Sequence, residues 1–295
     1  MIEKKKNYLK QFENIQDLPT LPAIVSTINQ MIDKPDTTIN SLSRVIEKDQ
    51  AIVFKMLLLV NSAFFGFREK ISSVNEAAII LGFDAIRNIV ISISTFKTLN
   101  ALSKKKPHDV FKPDAFWMHS VGVAVLSKYL SEKTKCGNPE KCFVSGLLHD
   151  MAKLVLAYYF PRDFKAIVEL SRSEKLIYRQ AELKCIPVGH NEIAYFIAKK
   201  WALPGPVANA IFSHHSPQAG ASAFEESIIV NASDAIINSY YPDFLNNNTR
   251  PGRINYRYIE KTTQKKMRLW LTATEKWFPE VDDMILEAKK VFFEN

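Results

Sequence analysis

The stretch Gly146-Leu147-Leu148-His149-Asp150-Met151-Ala152-Lys153-Leu154-Val155-Leu156 decides how the rest of the chain is read. It lies in a segment, about 140–158, whose apolar residues recur at helical rather than alternating spacing, so the spacing predicts a helix. His149-Asp150 puts an imidazole and a carboxylate side by side within that apolar surrounding. Lys153 follows His149 by four residues and Asp150 by three, which sets its ammonium on the same helical face. A phosphate fits beside such a group.

Working outward, the same period recurs almost everywhere and strands are hard to find. Helices are predicted at about 114–132, 162–171, 174–185, 189–201, 204–214 and 225–240. In the first half, Ile24, Ile28, Met31 and Ile32 form one stripe after Leu18-Pro19-Thr20-Leu21-Pro22. A second helix starts near Thr38, and Asp49 is placed to cap a third that runs to Val60 and breaks at Asn61-Ser62. Ser73-Val74-Asn75-Glu76 has capping-box spacing ahead of a short buried helix containing Ile79, Ile80 and Leu81, and Gly82 is its stop. Asp84 opens another helix to about Leu99. Val281, Met284, Ile285, Ala288 and Phe292 form a terminal stripe. With only 9 glycines in 295 residues, the expected fold class is all-α. A boundary is expected at the polar Lys104-Lys105-Lys106-Pro107, and Asn246 to Gly252 reads as an exposed loop. Phe64, Phe65 and Phe67 are expected to plug the core between the halves, with Asn61 and Arg87 as hydrogen-bonding residues of the first half.

Five of the six histidines, His119, His149, His190, His214 and His215, lie in contexts that suit metal ligation, and Asp234 sits in the otherwise uncharged stretch Ser227 to Tyr241. A buried carboxylate needs a partner. On helices converging on one cavity, five neutral imidazoles with Asp150 and Asp234 suffice for two metal ions, one carboxylate bridging them. For any one of these histidines alone, a hydrogen-bonded structural role is the ordinary alternative. His108, flanked by Pro107 and Asp109, reads as a surface residue without a role.

At these residues the chain resembles the HD superfamily of metal-dependent phosphohydrolases, whose pattern of a histidine, His-Asp, further histidines and a final aspartate is matched in order. Leu18 to Pro22, the helix around Asp49, Asn61-Ser62, Ile71-Ser72-Ser73, and Leu81-Gly82 with Arg87 resemble one branch, the HDOD family of bacterial signalling output domains, over about residues 17–240. The resemblance implies an N-terminal helical bundle packed on an HD-like helical half. It divides the chain into an N-terminal subdomain (1–106), an HD-like metal-binding subdomain (107–245) and a C-terminal helical extension (246–295). By analogy with bimetallic HD sites, His119, His149, Asp150 and Asp234 hold one ion and Asp150, His190, His214 and His215 the other. The ions would be divalent iron, manganese or zinc. Lys153 would orient a phosphate, and a water activated by the cations would be the nucleophile.

Many HDOD domains have lost these ligands, and this chain retains them. The implied function is a signal-transduction output protein acting through ligand sensing or protein contacts, with a signalling protein and a phosphorylated or nucleotide ligand as partners. The alternative is an active phosphohydrolase or phosphodiesterase. In the related HD-GYP phosphodiesterases of cyclic dinucleotides, His-Asp continues to glycine and lysine, and Gly-Tyr-Pro follows the paired histidines. Here Ala152 replaces the glycine, Ser216-Pro217-Gln218-Ala219-Gly220 follows His215, and Ala115 stands where some such sites carry a further glutamate. Cyclic di-GMP cleavage is therefore not expected, and two metals are the ceiling.

The net charge of +8 is local: seven basic residues oppose Glu260 alone between Arg250 and Arg268, leaving about +2 elsewhere. That segment is expected to be a solvated face; Tyr256, Tyr258 and Trp270 interleave it as in nucleic-acid surfaces, but no recognition helix stands out. No uncharged apolar run approaches the roughly 20 residues of a membrane span, and the start, Met1 to Lys6, has no signal-peptide segment. The chain is expected to be cytoplasmic, with no membrane partner. Cys136, Cys142 and Cys185 lack Cys-x-x-Cys spacing and are expected to be reduced thiols.

Overall fold

The protein is described here by a computed structural model covering residues 2–15, 18–32, 34–62, 64–105, 110–241, 254 and 256–293. Its described residues form helices joined by short turns, with no strand among them. The expected boundary at Pro107, His108, and the loop Asn246 to Gly252 lie outside the described residues.

The first half contains α1 (Ile2–Glu13), α2 (Ala23–Ile32), α3 (Ile39–Ile46), α4 (Gln50–Val60) and α5 (Val74–Lys105). The caps act where the sequence places them. The Thr38 hydroxyl accepts from the Ser41 amide and the Asp49 carboxylate from the amides of Ala51 and Ile52, caps worth about 1 kcal/mol each. Asn61 closes the following loop, since its side-chain amide bonds both the N–H and the carbonyl of Ile71 at 2.8 Å.

Two expectations change at α5. The Ser73 hydroxyl accepts from the Glu76 amide, but the Glu76 carboxylate turns to the amide and hydroxyl of Ser72. Gly82 itself interrupts the helix, at φ 82°, a conformation open to glycine at little cost. The turns before it are not wholly buried, however. Val74, Ala77 and Ala78, three and four residues apart, occupy the core face, which leaves Ile79 (64% exposed) and Ile80 pointing outward. Val74–Ser103 has the length and composition of a membrane span, yet most of it is buried in the protein, and it reads as the core helix of this fold.

The second half comprises α6 (Pro113–Thr134), α7 (Pro139–Leu148), α8 (Met151–Tyr159), α9 (Pro161–Ser173), α10 (Tyr178–Cys185), α11 (His190–Lys200), α12 (Gly205–Ser213) and α13 (Phe224–Tyr240). Helix α6 is its axis, buried along most of its length and packed by α7, α13 and the C-terminal helix α16 (Thr274–Phe293). Gly146 allows α7 to lie this close to α6: a Cβ there would meet the Val123 carbonyl oxygen at 2.9 Å. Before α16 come α14 (Lys261–Lys266) and α15 (Arg268–Thr272), short helices in the basic segment.

One hydrophobic core runs from Phe12 to Phe292. Phe64 sits 5.2 Å from the Phe143 ring of α7, and Phe96 of α5 sits 4.5 Å from Trp117 and 4.9 Å from Phe292. Of the expected aromatic plug, Phe64 is buried, Phe65 is half-buried against it, and Phe67 is exposed. The N-terminal helix, not foreseen in the sequence, docks on the second half: Phe12 packs on Phe160, Tyr8 donates to Asp163, and Lys5 pairs with Glu192. The three cysteines are free thiols.

Candidate metal centre

The predicted helix 140–158 is two helices, and the break falls at His149-Asp150. His149 is the last residue with α7 geometry and Asp150 opens α8 at φ −102°, ψ 6°, so both side chains turn inward. Helix α6 contributes His119, α11 begins with His190, His214 and His215 follow the end of α12, and Asp234 lies midway along α13. All seven side chains converge.

Two groups of donors face one another. In the first, His119 Nε2 lies 3.2 Å from Asp234 Oδ1, 3.7 Å from Asp150 Oδ2 and 3.4 Å from His149 Nε2, while His149 Nε2 lies 3.3 Å from Asp150 Oδ2. In the second, His190 Nε2 is 2.8 Å from His215 Nε2, and His214 stands beside both rings. His119, His149 and Asp150 form one set compact enough to hold an ion, and His190, His214 and His215 another. Asp150 joins them: Oδ2 faces the first set, and Oδ1 lies 3.2 Å from His190 Nε2.

Tautomers follow from the outer contacts. The Nδ1–H groups of His149 and His214 donate to the carbonyls of Gly146 (2.8 Å) and Ile211 (2.6 Å), and that of His190 donates to the Glu182 carboxylate (2.8 Å). Each Nε2 lone pair then points into the centre. Facing lone pairs and carboxylate oxygens at such distances repel unless positive charge lies between them. His214 Nε2 is buried with no hydrogen-bond partner among the described residues. An orphaned acceptor, converging imidazole nitrogens and a two-faced carboxylate are what a pair of borderline divalent cations requires, so the residues fit such ions.

The electrostatics agree. Burial disfavours the Asp150 carboxylate, yet His149 and Lys153 hold it well below its ordinary range, and the adjoining His119 and His149 rings do the same for Asp234. Burial pushes the His149 imidazole down, and Asp150 with Asp234 overcomes that and raises it to about 10. Burial also opposes a charged His190, which Glu182 nonetheless raises. His214 is driven well below its usual value by burial and by the charge of His149 and His190. The centre thus attracts positive charge strongly, and a metal ion competes with protons for it.

Lys153 Nζ lies 2.6 Å from Asp150 Oδ2 and over the Tyr178 ring. It stands at the wall of a cavity of about 180 Å³ beside His190, His215 and Asp234, also lined by Arg179 and Tyr258. Three neighbours were not singled out in the sequence. Glu182, fully buried at His190, shares a helical face with Tyr178 and Ala181, an apolar-face carboxylate of the kind that exposed Asp234. Asn238, one turn after Asp234, donates to its Oδ1 at 2.8 Å. Arg179 has no such signal in the sequence.

The HDOD domain family matches residues 18–217, more than half of the chain. An uncharacterised protein of Treponema pallidum (strain Nichols) is 26% identical over 207 residues, 69% of this chain and 39% of that protein. The chain spans well under half the length of the curated relatives it matches. A crystal structure of an HDOD domain protein of unknown function from Geobacter sulfurreducens superposes with a TM-score of 0.77 at 22% identity, over 99% of this chain and 100% of that one. A provisionally assigned phosphohydrolase from Shewanella amazonensis SB2B gives 0.69 at 17% identity, over 95% and 97%. These likenesses share the fold.

Proposed function

This chain belongs to the HDOD family, and we propose that it is a signal-transduction output protein whose second half keeps a dinuclear centre of iron, manganese or zinc and senses a phosphorylated ligand there. The observation that carries this is the orphaned Nε2 of buried His214 within a closed ring of nitrogen and oxygen donors. His119, His149, Asp150 and Asp234 would hold one ion, and His190, His214 and His215 with Asp150 the other. Bound ions would supply a positive, Lewis-acidic floor for an anion. Lys153 orients that anion from the wall of the cavity. Tyr178 backs the Lys153 ammonium, and Glu182 and Asn238 fix His190 and Asp234 in the orientation the centre needs.

A volume of about 180 Å³ is below the roughly 300–1,000 Å³ of ordinary ligand pockets, so it admits a phosphate group and not a whole nucleotide. Readout by a partner protein follows if the ligand shifts a packed element, since a ligand biases two arrangements by its differential affinity for them. The second reading, a metal-dependent phosphohydrolase, is favoured by Lys153 at the cavity wall.

The test is a screen of the metal-loaded chain against cyclic di-GMP and p-nitrophenyl phosphate, with inorganic phosphate binding followed in parallel. Binding of phosphate without turnover of cyclic di-GMP above background is expected, as Gly-Tyr-Pro is absent and Ala152 replaces a glycine. Rapid hydrolysis of cyclic di-GMP, abolished by His149→Ala, would contradict the account, and turnover of the monoester lost in the same variant would favour the hydrolase reading.

A further inference from the structure

Beside the 180 Å³ cavity lies a wider one of about 510 Å³, and Arg179 and Ser216 line both. The larger falls within the size range of organic ligand pockets, and the smaller below it. Their linings differ in chemistry. The small one has Lys153 and the metal-facing residues, whereas the large one presents neutral hydrogen-bonding groups, among them Asn209, Ser213 and Gln218, beside the exposed faces of Phe212 and Leu183. Lys5 and Glu192, which also line it, neutralise each other at 3.0 Å.

The remaining charge in the large cavity is Arg179. Its guanidinium is half-buried at the junction and makes no hydrogen bond or ion pair with the described residues, although Glu182, Glu192 and Glu260 lie in its neighbourhood. A partly desolvated guanidinium without a carboxylate in contact is an anion site in waiting, and its fork suits phosphate oxygens.

We infer that the two cavities form one divided site for a phosphomonoester: the phosphate lies between the metal centre, Lys153 and Arg179, and an organic body of nucleoside size lies in the larger cavity against Phe212 and the amide and hydroxyl groups. This rests on the metal-centre reading and adds the ligand class and a second subsite to it.

Calorimetry on the full, metal-loaded chain tests it with three probes: inorganic phosphate, adenosine, and the uncleavable phosphonate analogue of adenosine 5′-monophosphate. The analogue is expected to bind at least about tenfold tighter than phosphate, and adenosine weakly. Arg179→Gln should weaken both anions about tenfold. Ser222→Trp, which places a large ring in the wider cavity from an exposed position, should remove the advantage of the analogue and leave phosphate unchanged. An analogue binding no better than phosphate, to protein that holds metal and phosphate normally, overturns the second subsite while the metal centre stands. Protein that takes up neither metal nor phosphate overturns the metal-centre reading, and this inference with it. Unchanged affinities in Arg179→Gln overturn the role of that residue.

Discussion

Asp150→Asn is expected to strip the protein of both metal ions at once. Its two oxygens face different donor sets, so losing the charge weakens both sites, whereas a change at His119 or His215 touches one. The fall in affinity should exceed the roughly 10–100-fold that replacing an outer hydrogen-bond partner costs, which is the loss expected of Glu182→Gln through His190. Asparagine keeps the shape and lets folding be checked separately. Asp150→Ala should lose metal equally and also destabilise the metal-free chain by about 3–5 kcal/mol, because it removes every acceptor at this position for the buried Lys153 ammonium, where asparagine still offers a carbonyl oxygen. Elemental analysis and thermal unfolding of the two variants read the effects independently. One ion retained in Asp150→Asn would show that this carboxylate does not bridge.

A second large effect is expected from dividing the chain at the polar segment after α5. Fragments 1–106 and 107–295 should fail to unfold cooperatively when expressed apart. The reason lies in the aromatic contacts across the division. Phe64 packs on Phe143, Phe96 packs on Trp117 and Phe292, and the Lys55 ammonium donates to the carbonyls of Val291 and Phe292 at the end of α16. Buried Lys128 of α6 adds a charged link, pairing with Glu132 and lying 4.9 Å from the Phe65 ring centre. Cutting the chain would expose these rings on both pieces, and truncating a single buried Phe already costs about 3–5 kcal/mol, a large fraction of a domain's stability. Phe64→Ala in the full chain should therefore lower the single unfolding transition as a whole. Two soluble fragments, each with a cooperative transition matching one of two in the intact protein, would refute the shared core. If a ligand at the centre shifts a packed helix, the same packing would pass that shift to the first half.

Much of this was readable in the residues. The stripes of α2 and α4, the caps at Thr38 and Asp49 and the stop at Gly82 are local features, written in side chains a few positions apart. The set of seven histidines and aspartates was legible from their order, which resembles the HD pattern, with Asp234 also marked as the one charge in an apolar stretch. The break between α7 and α8 was not, since the apolar period runs on through it; what turns the chain is the His149 ring bonding back to Gly146 and the close contact of α7 with α6. Helix α1 was missed because its lysine-rich sequence reads as solvated, and it is held by Tyr8, Phe12 and Lys5 meeting residues more than 140 positions away. Helix α14 was hidden by the same high charge, and α15, at five residues, is too short to show a period. Arg179 owes its importance to neighbours that only the tertiary fold supplies, whereas Glu182 is marked in the sequence as a carboxylate on the face of Tyr178 and Ala181.

Two ions are expected in the ring of histidines and aspartates. Anomalous diffraction from crystals of the full chain, grown without chelator after expression with iron, manganese and zinc, tests it most directly. Two peaks bridged by Asp150 are expected, each about 2.0–2.2 Å from its ligands, one among His119, His149 and Asp234 and the other among His190, His214 and His215. Well-folded protein with no anomalous peak in the ring would contradict it.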